Sequence, residues 1–190
     1  MVTKNNDTRE AILHLGASLI QQVGYHAFSY ADIAKSLNIK NAAVHYHFPT
    51  KADLYESVVE AHIENYLLIG KELEKATVPA KAKLEKIISR YTHLVEVDRI
   101  CVIGAIAADY KTLPVNTREK VVTLVELVLK LVEKTLTEGK KNGEFTFTES
   151  SRVQTLMIMT NLSAGVQLAR ITGKKDFDTI RKSILKQLSG

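Results

Sequence analysis

"FSYADIAKSLNIKNAAVHYHFPTKADLY", residues 28 to 55, alternates helix starts and helix stops within a short span. Ser29 followed three positions on by Asp32 is a capping box: the hydroxyl takes a first-turn N–H and the carboxylate takes the Ser29 N–H. Tyr30, Ile33, Ala34 and Leu37 then repeat at helical spacing. Asn38 tolerates the left-handed backbone of a tight turn, so the helix is expected to stop there and a third short helix to start at Lys40 or Asn41. That helix buries Val44 and Phe48, four apart, and turns Asn41, Ala42, His45 and Tyr46 outward. Pro49 ends it. Thr50 and Asp53 form a second capping box, from which Leu54, Val58, His62, Leu67 and Leu73 carry a long helix to about Lys75. Two short helices joined by a tight turn are a helix-turn-helix candidate.

Upstream, Ile12, Leu15, Leu19, Ile20 and Val23 mark a helix from about Thr8 to Val23, with Asp7 as its expected cap. Downstream, the periodicity predicts helices at about Ala80–Val97, Arg99–Thr112, Thr117–Lys141, Ser150–Thr172 and Asp176–Leu188. The alternating "EFTFTE" between two helical periods reads as a linker. With 9 Gly and 3 Pro in 190 residues the chain is poor in helix breakers, and the expected class is all-α. The expected division is a helix-turn-helix domain over residues 1–50, joined through the long helix to a helical bundle over 51–190.

A net charge of +5 admits an anionic partner without requiring one. The single cysteine, Cys101, excludes an internal disulfide and agrees with a reducing, cytoplasmic setting. The N-terminal stretch has no apolar signal core, and the most apolar stretch is broken by Gln154, Asn161, Ser163 and Gln167, so neither secretion nor a membrane span is expected.

No enzyme constellation stands out: there is no Gly-rich phosphate loop, no G-x-S-x-G, no C-x-x-C and no H-E-x-x-H. His45 and His47 are two apart, so on a helix they point about 200° from one another and cannot chelate one ion. No metal and no cofactor is expected, and catalysis is not. The outward face of Asn41, Ala42, Ala43, His45 and Tyr46 suits a major groove instead. Small alanines allow close approach, Asn41 can pair with an adenine edge, and His45 can donate to a guanine N7 or a phosphate. Tyr46, His47, Thr50 and Lys51 suit phosphates, the last two because a helix start offers free N–H groups.

The run of capping box, turn, buried positions and "FPTKADL" resembles the DNA-binding domain of the tetracycline-repressor (TetR) family of transcriptional regulators, over about residues 8 to 54. On that resemblance Ser29, Tyr30 and Lys40 join the DNA-backbone set. It departs from the common pattern at Asn38, where many members have Gly, and at His45, where many have Tyr.

The resemblance implies a homodimer that binds double-stranded, near-palindromic operator DNA, most often as a repressor, and releases it when a small-molecule effector binds the helical bundle. Pocket candidates are the polar side chains His62, Tyr66, Tyr91, Asp109 and Tyr110. Cys101, after Asp98-Arg99 at an expected helix start, is a candidate sensor thiol. The C-terminal helices carry apolar faces for a second chain, with Leu156, Phe177, Ile180, Ile184 and Leu188 as expected interface residues. The rival readings are a small-molecule-binding helical bundle with no DNA role and a helical enzyme whose site carries no recognisable motif.

Overall fold

The computed structural model describes residues 2 to 188, and among these the regular elements are helices, with no strand. In chain order they are α1 Val2–Val23, α2 Tyr30–Ser36, α3 Asn41–His47, α4 Lys51–Lys75, α5 Ala80–Glu96, α6 Val102–Ala107, α7 Val115–Lys141, α8 Ser151–Thr172 and α9 Lys174–Leu188. Short 3-10 turns lie at Tyr25–Ala27 and Tyr110–Thr112. The residues form two compact units, one running to Glu64 and taking in Val102–Leu124, the other made of Asn65–Cys101 and Val125 onward. Of the three divisions along the chain, two fall inside the long helices α4 and α7 and the third falls at the start of α6.

Two of the expected helices differ. The first does not start at Asp7: nothing from Val2 to Asp7 breaks a helix, and the turn before Thr8 continues the register. The expected helix over Arg99–Thr112 shrinks to α6, because its first residues are spent on ending α5. There the Asp98 backbone is left-handed, φ 51°, while its N–H bonds Val95 O and the Arg99 N–H reaches back to Leu94 O at 2.8 Å. This is a Schellman stop, built on an aspartate where glycine is commoner.

In the first unit Ile12, Ile20, Ile33, Val44, Phe48, Leu54 and Val58 are buried together. Gly16 lets α1 lie close to α4, since a Cβ there would sit 2.9 Å from a Leu54 methyl. Lys120 of α7 reaches Glu56 and Glu60 of α4, and α6 packs on α1.

In the second unit α8 packs along α9 and both touch α5. Gly165 is the contact point, with Ile180 and Phe177 of α9 within 3.4 Å of where its Cβ would be. Phe177 and Leu188 are fully buried here and Ile184 is 5% exposed, so three of the expected interface residues serve this chain's own core, and Ile180 packs on α8. The physical reason is that α9 has one apolar stripe and α8 uses it. α8 has a second: Val153, Leu156, Met157, Leu168 and Ile171 stand exposed at helical spacing, Met157 at 57%. Leu156 alone of the five expected residues lies on that free face.

At the start of α5, Pro79 has no side chain with which to cap, and Glu144 does it from the linker after α7, accepting from the N–H groups of Ala80 and Lys81 at 3.0 Å each. Those two hydrogen bonds, led by the one from Lys81, hold the Glu144 carboxyl below its ordinary range. A carboxylate with a depressed folded pKa stabilises above its unfolded value, ~4.3, and loses that contribution as pH falls through the folded one. Glu144→Gln is therefore expected to lower the urea midpoint at pH 7, with the gap to the parent protein closing as the pH falls below the ordinary glutamate range.

Candidate nucleic-acid interface

The capping boxes and the turn expected between Phe28 and Leu54 are present in the structure. Asp32 Oδ2 accepts from the Ser29 N–H at 2.7 Å while Ser29 Oγ accepts from Asp32 N, closing the first capping box. α2 ends in a Schellman turn: Asn38 is left-handed at φ 52°, its N–H bonds Lys35 O, and the Ile39 N–H returns to Ala34 O at 2.9 Å. α3 then presents Asn41, Ala42, His45 and Tyr46 to solvent and Ala43 and His47 partly so, with Val44 and Phe48 buried beneath. Tyr46 is 73% exposed, more than a tyrosine placed for packing would be. The exposed cations Lys35 and Lys40 stand on the turn side of this face, and Arg9 of α1 lies 5.0 Å from the Phe48 ring centre. Lys35 and Arg9 were not among the expected phosphate contacts, which were drawn from the start of α2 and from residues 40 to 51.

Four of the expected backbone contacts, Tyr30, Lys51, Ser29 and Thr50, turn out to have side chains tied into the fold. The Tyr30 ring is buried and its hydroxyl donates to Thr50 O at 2.6 Å, so it joins α2 to the start of α4 rather than reaching a phosphate. Burial, with the Asp53 carboxylate nearby, pushes that phenol well up. Lys51 is half-buried: its ammonium donates to Phe28 O and lies 3.9 Å from the Phe28 ring centre and 4.8 Å from that of Tyr25. Desolvation there pulls its pKa down. The hydroxyls of Ser29 and Thr50 donate to Asp32 and Asp53, so the α4 start has only the backbone N–H groups of Lys51 and Ala52 to give an anion.

His45 is sharpened in a different way. Its Nδ1 lies 3.3 Å from Pro49 O, and its ring stands edge-on to Tyr30, 4.8 Å between centres. A carbonyl only accepts, so this contact puts the proton on Nδ1 and leaves Nε2 of the neutral ring an acceptor. The expected donation to a guanine N7 then requires the doubly protonated ring; the neutral one accepts, from an adenine N6 or a cytosine N4 amino group.

The pocket candidates are not one set. Tyr66 and Tyr91 lie close together in the second unit. Asp109 belongs to the first unit, where it lies 3.2 Å from His26 Nε2, and Tyr110 borders an open groove with Val115, Arg118 and Val122. His62 is half-buried on α4. Cys101 is buried and its thiol donates to Ser163 Oγ at 3.4 Å, so the partly exposed position that a reactive sensor thiol needs is not the one it has. No cluster of His, Cys, Asp and Glu able to hold a metal occurs among the described residues, and no helix there is long and apolar enough to cross a membrane.

Residues 12–58 match the family model of bacterial regulatory proteins of the tetR family, and residues 80–182 match that of the tetracyclin repressor-like C-terminal domain. A TetR transcriptional regulator from Legionella pneumophila superposes with a TM-score of 0.82 at 30% identity, covering 94% of this chain and 96% of that one. A TetR-family transcriptional regulator from Agrobacterium tumefaciens gives 0.89 at 25% identity over 98% and 100%. Among curated proteins, the biofilm operon regulator IcaR of Staphylococcus aureus is 29% identical over 75 residues, a match that spans 38% of this chain and 40% of that relative. With both family models matched in order and a solved relative at 30% identity over nearly its whole length, the chain belongs to the TetR family of transcriptional regulators, DNA-binding proteins and not enzymes.

Proposed function

We propose that this chain is a cytoplasmic, homodimeric repressor that binds near-palindromic double-stranded DNA through α3 and lets go when a small-molecule effector occupies the second unit. The observation that carries the proposal is the outer face of α3, where Asn41, Ala42, His45 and Tyr46 stand exposed on a helix anchored from below by Val44 and Phe48. Asn41, Ala42, Ala43 and His45 are assigned to base edges; Lys40, Tyr46, His47 and the first N–H groups of α4 are assigned to phosphates. The free stripe of α8 supports a two-fold pairing, which would set two copies of α3 about one DNA turn, ~34 Å, apart. α4 contributes residues to both units, so an effector that prefers one position of α4 has a route to the spacing of the two reading helices.

Electrophoretic shift with promoter fragments tests the reading. Binding should favour particular sequences and fall steeply with salt, because phosphate contacts release counterions; equal binding to unrelated DNA contradicts it. Lys51→Met refines the assignment. With its ammonium held by Phe28 O, the variant should melt earlier yet keep the parent's slope of log affinity against log salt. A slope shallower by about one contact would return Lys51 to the phosphate set.

A further inference from the structure

In the second unit, two tyrosines and an arginine meet in an arrangement that core packing does not call for. Tyr91 of α5 is buried; Tyr66 of α4 and Arg90 of α5 are partly so. The Arg90 guanidinium lies 5.4 Å from the centre of the Tyr66 ring. The Tyr66 and Tyr91 hydroxyls and the Arg90 guanidinium lie close enough to act on one another. A phenol with donors beside it still has its own O–H to give to an acceptor. Desolvation pushes both phenols up, so they act as neutral donors. Cys101, near enough to act on both rings, is a further donor, turned to Ser163.

The cluster is rich in donors and carries one positive charge. Of the acidic side chains flanking it in sequence, Glu72 pairs with Lys86, Glu96 with Lys174 and Asp98 with Arg170, while Glu64 and Glu85 stand exposed and no ion pair ties either to Arg90. No ion pair of Arg90 with a carboxylate occurs among the described residues. A partly buried guanidinium stacked on a ring and flanked by neutral donors is open to pairing with an anion from outside. The surroundings are apolar: Ile69, Ile87 and Ile88 are buried one helical turn from Tyr66, Arg90 and Tyr91 respectively.

We propose that Arg90, Tyr66 and Tyr91 form the acid-recognition end of the effector site, and that the effector is a small organic carboxylate with an apolar body. Its carboxylate pairs with Arg90 and accepts the Tyr66 O–H, while the body lies along the isoleucines. Amines are repelled by Arg90, and neutral isosteres leave its charge unanswered. The proposal rests on the ligand-responsive reading above and adds to it the chemistry of the ligand.

The test uses the full chain without DNA. Hexanoate, decanoate and benzoate are titrated calorimetrically, each against its uncharged amide. The chain has 7 Tyr and no Trp, so a tyrosine absorption difference reports the same event. At least one carboxylate is expected to bind saturably, one per chain, to raise the melting temperature and to perturb tyrosine absorption, with its amide inert at equal concentration. Arg90→Gln should weaken it by about tenfold or more, and Arg90→Lys by less. Tyr66→Phe, which keeps the ring, should weaken it several-fold and remove most of the absorption change. The proposal is overturned if no carboxylate binds, if amides bind as well, or if either Arg90→Gln or Tyr66→Phe, folded by circular dichroism, binds like the parent. Operator shift on the same preparations is scored separately, so a failed carboxylate site and a failed repressor reading give different results.

Discussion

Met157→Glu is expected to leave the chain folded but monomeric, and to cost about a hundredfold or more in operator affinity. Met157 sits on the outer stripe of α8, 57% exposed, so the new carboxylate meets water in the isolated chain and carries little folding penalty. In a two-fold pairing the same position recurs across the axis, and two carboxylates would face each other in an apolar seam. Operator affinity suffers because the second reading helix binds from the same particle at a high effective concentration, a gain of order 10²–10⁴ that disappears with the dimer. Ile184→Asp, a change that the sequence alone would single out for the same purpose, has another outcome: Ile184 is inside the α8–α9 contact, and a charge there unfolds the unit. Sedimentation with far-UV circular dichroism separates the two. A Met157→Glu chain that still sediments as a dimer would move the interface off α8.

The other large effect is expected at Phe48. Phe48→Ala should destabilise the first unit by about 3–5 kcal/mol, the usual cost of emptying a buried aromatic site. Phe48 is 1% exposed, follows directly on α3 and carries Arg9 against its ring, so its loss frees the C-terminal end of the helix that faces DNA. Specific operator binding should go with it. Tyr46→Ala, two residues earlier, is the contrast: its side chain stands in solvent, so the melting temperature should hold while DNA affinity drops. Chemical denaturation followed by tyrosine fluorescence, together with gel shift, reads both. Equal melting of the Phe48→Ala chain and the parent would mean that α3 is not anchored as described.

What could be read from sequence alone follows a physical pattern. Ser29–Asp32, Asn38 and Thr50–Asp53 were legible because a cap or a left-handed turn is decided by residues within three positions of one another. The α3 face was legible because only Val44 and Phe48 share a side that can be buried. Long-range commitments were not. Nothing in the residue types says that Lys51 gives its ammonium to a carbonyl 23 residues back, or that Tyr30 gives its hydroxyl to one 20 residues on. The apolar stripe of α9 announced burial but not the partner, and α8, apolar on two sides, turned out to supply it. The break at Asp98 was placed, but not how far it extends: the next helix was expected from Arg99 and begins at Val102, because Arg99 is still spent on the left-handed stop. Arg90 was passed over in favour of the tyrosines around it, although a cation next to Tyr91 on the buried side of a helix was the available sign.

The claim on which the rest depends is that α3 reads DNA sequence. Selection of bound fragments from a random DNA pool, run in parallel with the parent protein and with His45→Ala, tests it most directly. The account predicts that the parent enriches a near-palindrome whose half-sites are centred about one helical turn apart. At one position of each half-site it should prefer a base with an amino donor in the major groove, adenine or cytosine, and the His45→Ala protein should lose that preference alone. A pool that stays random, or a preference that is identical with and without the His45 imidazole while the rest of the site is kept, would contradict it.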